Sequence, residues 1–105
     1  MWAVIREPGR TKGYWIVHIK VTDQTNYPKY LEAGKIPFEK YGARFLVQGG
    51  SHIAPEGSAK QRHVVIEFES YNTALACYLS PEYQAAAKLR QASADSDIVI
   101  VEGSS

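Results

Sequence analysis

The chain has 105 residues, of which 45% are hydrophobic, 22% charged and 11% aromatic. This length and composition fit one packed domain and exclude a disordered or fibrous chain. The net charge of +1 comes from interspersed basic and acidic residues, so we expect neither a nucleic-acid partner nor an anionic membrane partner. Apolar runs are too short for a membrane helix or a secretory signal, which predicts a cytoplasmic protein.

The first clear element is a β-strand over Tyr14–Val21, which follows Gly13. Its side chains alternate with a period of two, the pattern of a strand with one buried face. A helix is predicted next, from an Asp23 N-cap to about Lys40, because apolar residues recur at three- and four-residue steps. Pro37 lacks the backbone donor that a helix interior needs, so we expect a kink or a break there.

Two further strands follow Gly42, which suits a helix C-cap. The second strand is predicted over Arg44–Gln48, with Gly49–Gly50 ending it or inserting a bulge. A polar loop over His52–Gln61 leads into a third strand over Arg62–Glu69, whose apolar residues alternate again.

The last third of the chain predicts two helical pieces and a strand. A short helix is expected over Tyr71–Leu79, and Ser80–Glu82 then supplies a cap, a proline and an acid, the signature of a new helix start. The second piece runs to about Ala92. The final strand is predicted over Ser96–Glu102, and its unbroken Ile98–Val101 run indicates burial on both faces.

The element order β-α-β-β-α-β predicts an α+β, ferredoxin-like domain over residues 13–103. Short connections and right-handed crossovers place both helices on one face of a four-stranded antiparallel sheet. Residues 1–12 are predicted to be an N-terminal extension. Either this extension is a loosely docked tail, or its apolar residues lie against a partner or pair with a sheet edge: Trp2, Val4 and Ile5.

The face opposite the helices is predicted to be too apolar to remain in water. Exposed patches of this kind usually mark interfaces. A twofold homodimer, with two sheets packed face to face, is the simplest closed solution. The residues expected on this face are Tyr14, Ile16, His18, Leu46 and Val65.

Several sequence segments together resemble one protein family. They are residues 13–15, 41–50, 56–57, 64–68, 78–84 and 89–90, which read GYW, YGARFLVQGG, EG, VVIEF, YLSPEYQ and LR. From Gly13 to Glu102 the chain resembles the small bacterial family called domain of unknown function 1330. Membership would imply the dimeric α+β barrel superfamily, and hence the homodimer with paired sheets, but it implies no activity. The chain departs from the family at Cys77, where tryptophan is frequent, and in residues 1–12, which have no usual counterpart.

His18 and Glu67 are the candidates for catalysis. Period-two counting places both on the face opposite the helices, on strands that should be adjacent. A carboxylate beside an imidazole orients and charges the ring, so the pair would suit general-base chemistry. The alternative, which we favour, is a satisfied polar pair inside the dimer interface.

A second set of residues is predicted to bind a ligand between the helices and the sheet. Arg90 lies seven residues beyond Tyr83, on the same helical face, and would bind a carboxylate or enolate oxygen. The alternatives are packing for the aromatic rings and an ion pair of Arg90 with Asp97 or Glu82. The candidate ligand-binding residues are Tyr27, Tyr30, Phe38, Tyr83 and Arg90.

Other chemistry finds little support in the sequence. His18, His52 and His63 have no metal-ligand spacing, so we expect no metal, and no dinucleotide or phosphate-loop motif indicates a cofactor. Cys77 is expected to be a buried, inert thiol. The favoured hypothesis is a homodimer that binds a small metabolite, and the alternative is a cofactor-free enzyme that uses proton transfer on a small aromatic or carboxylated substrate.

Overall fold

The computed structural model describes residues 11–104, in which four antiparallel strands form one sheet with the order β2-β3-β1-β4 and the helices cover one face. This is the predicted ferredoxin-like arrangement. A single chain carries one sheet, so the pairing of two sheets into a barrel stays a prediction. The elements are β1 (Gly13–Val21), α1 (Tyr27–Lys40), β2 (Arg44–Gln48), β3 (Arg62–Phe68), α2 (Tyr71–Leu79), α3 (Pro81–Ser93) and β4 (Ala94–Glu102).

Trp15 of β1 is the centre of the hydrophobic core. Its side chain is 1% exposed, and its indole N–H donates to the Ala74 carbonyl of α2 at 2.9 Å. Four aromatic rings surround the indole with centroid distances of 4.8–5.8 Å, mostly edge-on, the arrangement that aromatic quadrupoles favour. These rings are Phe38, Phe68, Tyr78 and Tyr83.

Helix α1 differs from the prediction at its start and at its proline. The Asp23 carboxylate accepts from the backbone N–H groups of Thr25 and Asn26, so it caps the turn before the helix. The helix itself begins at Tyr27. Pro28 is tolerated in its first turn, because the N–H that proline lacks would have no partner within the helix there. At the other end we expected a kink or a break at Pro37, and the break is wrong.

The helix continues through Pro37 to Lys40. The missing N–H of Pro37 removes a single backbone bond, and its buried ring adds apolar contact to the core. Gly42, with φ of 69°, ends the helix as predicted: a left-handed residue there allows the Ala43 N–H to reach back to the Phe38 carbonyl at 2.9 Å.

The division between α2 and α3 confirms the predicted restart at Ser80. The Ser80 hydroxyl accepts from the Tyr83 N–H at 3.1 Å and donates to the Cys77 carbonyl at 2.7 Å. One side chain therefore satisfies a free donor of the new helix and a free acceptor of the old one. Ser70 caps α2 in the same way, by accepting from the Thr73 N–H.

Strand β2 has the predicted bounds, but its bulge lies inside the strand and not at Gly49. The register with β3 shifts between Phe45 and Val47. Val47, and not Leu46, therefore stands opposite Val65. Gly49, with φ of 73°, follows the end of the strand.

Strand β4 follows α3 directly and lies at the edge of the sheet, paired with β1 alone. The prediction that this strand is buried on both faces is wrong for the single chain. Ile98 and Ile100 pack against the core, whereas Val99 is 52% exposed. The unbroken apolar run of β4 therefore places alternate side chains on the face covered by the helices and on the exposed face.

Residues 1–10 of the predicted extension, which include Trp2, Val4 and Ile5, lie outside the described residues. Its last two residues, Thr11 and Lys12, precede β1 and are hydrogen-bonded to residues at the end of β4. The Thr11 hydroxyl donates to the Glu102 carboxylate at 3.0 Å, and the Lys12 carbonyl accepts from the Gly103 N–H at 2.8 Å. Thr11 and Lys12 are therefore docked on the domain.

The helical layer covers the sheet unevenly. Helix α2 packs on β1, β3 and β4, and α3 packs on β4, whereas α1 packs chiefly on α3. Helix α1 thus stands off the sheet, and a cleft lies between this helix and strands β1, β2 and β3.

Candidate functional site

The cleft between α1 and the sheet encloses a cavity of about 500 Å³. Aromatic and aliphatic side chains from β1, β3 and α1 form most of its wall, and a few polar side chains lie among them. Both the volume and the lining are those of a small-molecule site. The apolar lining includes Trp15, Val17, Ile19, Tyr27, Tyr30, Leu31, Phe38, Phe45, Val64 and Ile66.

Arg62 is the cavity's most distinctive polar residue. It begins β3, lines the cavity, and lies against Gly49, where a side chain would collide with the guanidinium. Among residues 11–104 no carboxylate pairs with Arg62. The neighbouring Lys35 differs, because it pairs with Glu32 at 2.9 Å. A half-buried guanidinium beside an apolar cavity favours the entry of an anionic group.

Behind the cavity wall, three side chains from two helices form a hydrogen-bonded chain. Arg90 donates from Nη1 to the Tyr83 hydroxyl at 2.5 Å, and the Tyr83 and Tyr30 hydroxyls lie 2.9 Å apart. Arg90 is 4% exposed, Tyr83 0% and Tyr30 8%. Arg90 also donates from Nε to Ser96 at 3.0 Å.

The hydrogen-bonded network of Arg90, Tyr83 and Tyr30 contains a buried positive charge and two neutral phenols. Burial raises the pKa of Tyr30, and the adjacent Tyr83 hydroxyl and Arg90 only partly oppose this effect. Burial likewise raises the pKa of Tyr83. Both phenols therefore keep their protons at neutral pH and act as hydrogen-bond donors.

The predicted carboxylate partners of Arg90 are wrong. Glu82 pairs with Lys40 at 3.0 Å, and Asp97 pairs with Lys60 at 2.7 Å, both on the protein surface. Arg90 instead points inward, where its donors meet hydroxyl groups and aromatic faces. Its guanidinium carbon lies 5.8 Å from the Tyr30 ring centroid and 5.9 Å from that of Tyr83, within cation–π range.

The five predicted ligand-binding residues fall into two groups. Tyr27, Tyr30 and Phe38 line the cavity. Tyr83 and Arg90 are not among its lining residues and reach it only through Tyr30. Arg62 was not among the predicted ligand-binding residues, although the sequence places it at the start of a strand whose alternate residues are apolar.

The hypothesised pair of His18 and Glu67 does not form. Both lie on the face opposite the helices, as predicted, but the register sets Glu67 opposite Tyr14 and His18 opposite His63. Glu67 accepts from the Tyr14 hydroxyl at 3.1 Å and lies 3.4 Å from Arg44. Glu67 is thus offset from His18 by four positions along β1, so within one chain the two side chains do not form a general-base pair.

His18 belongs instead to a cluster of three histidines that the sequence spacing did not reveal. The Nδ1 atoms of His18 and His63 lie 2.8 Å apart, and the His52 ring centroid lies 4.4 Å from that of His63. Desolvation, His52 and His18 all lower the pKa of His63. Within residues 11–104 no three or more ligating side chains are arranged to hold a metal ion.

Cys77 is buried in α2. Desolvation raises the pKa of its thiol to about 12, so the reactive thiolate is essentially absent at neutral pH. The structure thus agrees with an inert thiol. None of the helices in the described part of the chain is both long and apolar enough to cross a membrane.

Residues 12–104 match the family described as a domain of unknown function, DUF1330, and the chain belongs to that family. Among curated proteins none matches. Its fold is shared by a protein of unknown function from Rhodopseudomonas palustris, with 17% identity, a TM-score of 0.74, and 91% of this chain and 85% of that chain covered.

Two other solved structures share the fold with lower TM-scores. A dimeric protein of unknown function and ferredoxin-like fold from Bacteroides fragilis has 18% identity and a TM-score of 0.51, over 87% of this chain and 95% of that chain. SnoaB, a cofactor-independent oxygenase from Streptomyces nogalater, has 9% identity and a TM-score of 0.57, over 90% and 95%. Identities this low establish the shared fold and nothing about activity.

Proposed function

We propose that the protein is a homodimer that binds a small, mainly apolar molecule with an anionic group in the cavity between α1 and the sheet. The observation that carries this proposal is the Arg62 guanidinium, which has no carboxylate partner among residues 11–104 and lies at the wall of a mainly apolar cavity. The apolar wall supplies affinity by excluding water, and the charge supplies selectivity among ligands of similar shape.

The cavity wall is aromatic where α1 faces the sheet. Tyr27 and Tyr30 lie with ring centroids 5.7 Å apart, and Phe38 and Phe45 lie 5.3 Å apart, edge to face. Rings placed in this way suit a flat or branched apolar body of moderate size. An anionic end beside Arg62 would gain a charge-assisted hydrogen bond that an uncharged analogue lacks.

The homodimer is proposed from the bare face of the sheet. Ile16 and Val65 stand opposite each other, with Val99 beyond Ile16 and Val47 beyond Val65, so they form a continuous apolar row across all four strands. Covering such a row with a second sheet removes it from water. The shared fold of the dimeric Bacteroides fragilis protein supports this assembly.

The alternative of a cofactor-free enzyme has less support. Neither histidine nor cysteine is among the cavity's lining residues in the described chain, and the one lining carboxylate, Glu39, is solvent-exposed. The lining phenols Tyr27 and Tyr30 have raised pKa values, so they are poor bases at neutral pH. The cavity therefore favours binding over proton abstraction.

Calorimetric titration with cinnamate and with cinnamyl alcohol tests this proposal, because these two probes share an apolar body and differ in charge. We expect the wild-type protein to bind cinnamate more tightly. Arg62→Met should weaken cinnamate binding about tenfold to a hundredfold, the value of a charged hydrogen bond, and leave the alcohol unaffected.

Lys88→Met is the matched control, since it removes the same charge from an exposed position of α3. It should change the binding of neither probe. Equal loss of cinnamate affinity in both variants, or no binding of either probe by the wild-type protein, would contradict the proposal.

A further inference from the structure

The hydrogen-bonded chain behind the cavity has a fixed direction. A guanidinium carries donors and no acceptor, so Arg90 must donate to the Tyr83 oxygen. The Tyr83 proton then has one hydroxyl within reach, the Tyr30 oxygen at 2.9 Å. If Tyr30 donated to Tyr83 instead, the fully buried Tyr83 proton would have no acceptor among residues 11–104, so we infer the order of donation Arg90 to Tyr83 to Tyr30.

The last proton of this chain has no acceptor in the described protein. The Tyr30 oxygen accepts from Tyr83 and also interacts with Arg90, and its own O–H has no further partner among residues 11–104. Tyr30 is at the same time a lining residue of the cavity. The free O–H donor of this hydrogen-bonded network therefore belongs to Tyr30, and of its three residues only Tyr30 lines the cavity.

The buried charge strengthens this donor. Arg90 has no carboxylate partner among the described residues, so its charge is not cancelled within the core. Hydrogen bonds in a chain polarise one another, and each phenol that accepts becomes a better donor. The Tyr30 O–H is thus a polarised donor in a water-poor site, the arrangement that stabilises an anionic oxygen.

We propose that the Tyr30 hydroxyl, positioned and polarised by Tyr83 and Arg90, is an oxyanion-binding donor, and that the ligand of this cavity carries a phenolate- or enolate-type oxygen directed toward α3. This inference rests on the proposed function, because it assigns the chemistry of the ligand in the same cavity. Tyr30 contacts the ligand, whereas Tyr83 and Arg90 are positioning residues that act through it.

The ionisation of a bound phenol measures such a donor directly. para-Nitrophenol changes colour on losing its proton, and its ether analogue, para-nitroanisole, has no proton to lose. We expect the wild-type protein to lower the pKa of bound para-nitrophenol by at least about one unit relative to Tyr30→Phe, which is about a tenfold preference for the phenolate form. The affinity for para-nitroanisole should change less than about twofold between the two proteins.

Tyr83→Phe separates the positioning role from simple contact. It retains the Tyr30 hydroxyl and the direct contact of Tyr30 with Arg90 but removes the hydrogen bond from Tyr83, so the pKa of the bound phenol should lie between the wild-type and Tyr30→Phe values. This variant leaves a buried Arg90 donor unpaired and so costs stability, whereas Tyr30→Phe retains the hydrogen bond from Arg90 to Tyr83 and is therefore the deciding variant. Tyr71→Phe, which removes a hydroxyl from exposed α2, should leave the pKa of the bound phenol unchanged.

Arg62 also favours a phenolate, so the comparison is repeated on an Arg62→Met background, where the effect of Tyr30→Phe should persist. Binding of both probes, with the same pKa of bound para-nitrophenol in wild type and Tyr30→Phe, would overturn the oxyanion donor and leave the proposed function intact. Absence of any binding by the wild-type protein would overturn both.

Discussion

The covered face and the open face of the sheet are built from alternate residues of the same strands. On the covered face, Trp15, Val17 and Ile19 of β1 are buried by helices of the same chain. On the open face, Ile16 of β1 and Val99 of β4 belong to an apolar row that no element among residues 11–104 covers. The comparison shows that the apolar pattern of a strand indicates which residues need burial, whereas the helices of one chain cover only one face of the sheet.

The polar residues of the two faces differ in the same way. Behind the covered face, Arg90 is held by hydroxyl groups and aromatic rings without a carboxylate. On the open face, Glu67 has both a phenol and an arginine as partners, and the histidines contact one another. Behind the covered face, the Arg90 guanidinium donates to hydroxyl groups. On the open face, the polar side chains bind one another.

The largest expected effect lies on the covered face. Trp15→Ala should lower the free energy of unfolding by about 3–5 kcal/mol, because it removes a buried indole and leaves a cavity among four rings. Urea denaturation followed by circular dichroism measures this loss. Ile36→Ala, at an exposed position of α1, should cost less than about 0.5 kcal/mol. Similar losses in the two variants would contradict the assignment of the core.

On the open face, Ile16→Lys should separate the proposed dimer without unfolding the chain. A charge buried without a partner costs about 3–5 kcal/mol, so the dissociation constant should rise at least about a hundredfold. Light scattering at micromolar concentration should give about twice 11.7 kDa for the wild-type protein and 11.7 kDa for the variant. A monomeric wild-type protein, or a variant that remains dimeric, would show that this face is not the interface.

The smallest expected effect concerns pH. His63 has a lowered pKa in the folded chain, so the unfolded chain binds protons more readily as the pH falls below about 6.5. Stability should therefore decline as the pH falls from about 7.5 to 5. The groups that face this cluster are His18, His52, Asp97 and Lys60.

Thermal unfolding across this pH range, in wild type and in His63→Asn, measures the contribution of the cluster. The variant should show a shallower decline, because it removes the group whose pKa is lowered. A steeper decline in the variant would mean that the cluster gains stability from protonation, through Asp97, and that the sign of this prediction is wrong.

Most of the fold could be predicted from local chemistry. Period-two alternation fixed the faces of β1 and β3, and the cap and proline at Ser80 located the division between α2 and α3. The break at Pro37 was wrong because local propensity does not register the core contacts that a buried ring gains. The burial of β4 was wrong because an apolar run does not reveal whether its second face is covered within the chain.

The candidate site was less predictable, because it depends on register and on the contacts between helices. Alternation placed His18 and Glu67 on one face, but only the pairing of β1 with β3 shows that His63 and Tyr14 stand opposite them. The seven-residue spacing correctly aligned Tyr83 with Arg90. Their link to Tyr30 depends on how α3 lies against α1, which no local pattern contains.

The two edges of the sheet discourage growth of the assembly. A free strand edge offers unpaired backbone groups to other chains, and natural sheets blunt such edges with charges and bulges. Here β4 carries Asp95 and Asp97 along one edge, and β2 is short and bulged at the other. Addition of another strand to β4 would bring like charges together, and addition to β2 would require pairing with a short, bulged strand. The proposed association through the open face would therefore stop at two copies, because acidic side chains lie on one edge strand and the other edge strand is short and bulged.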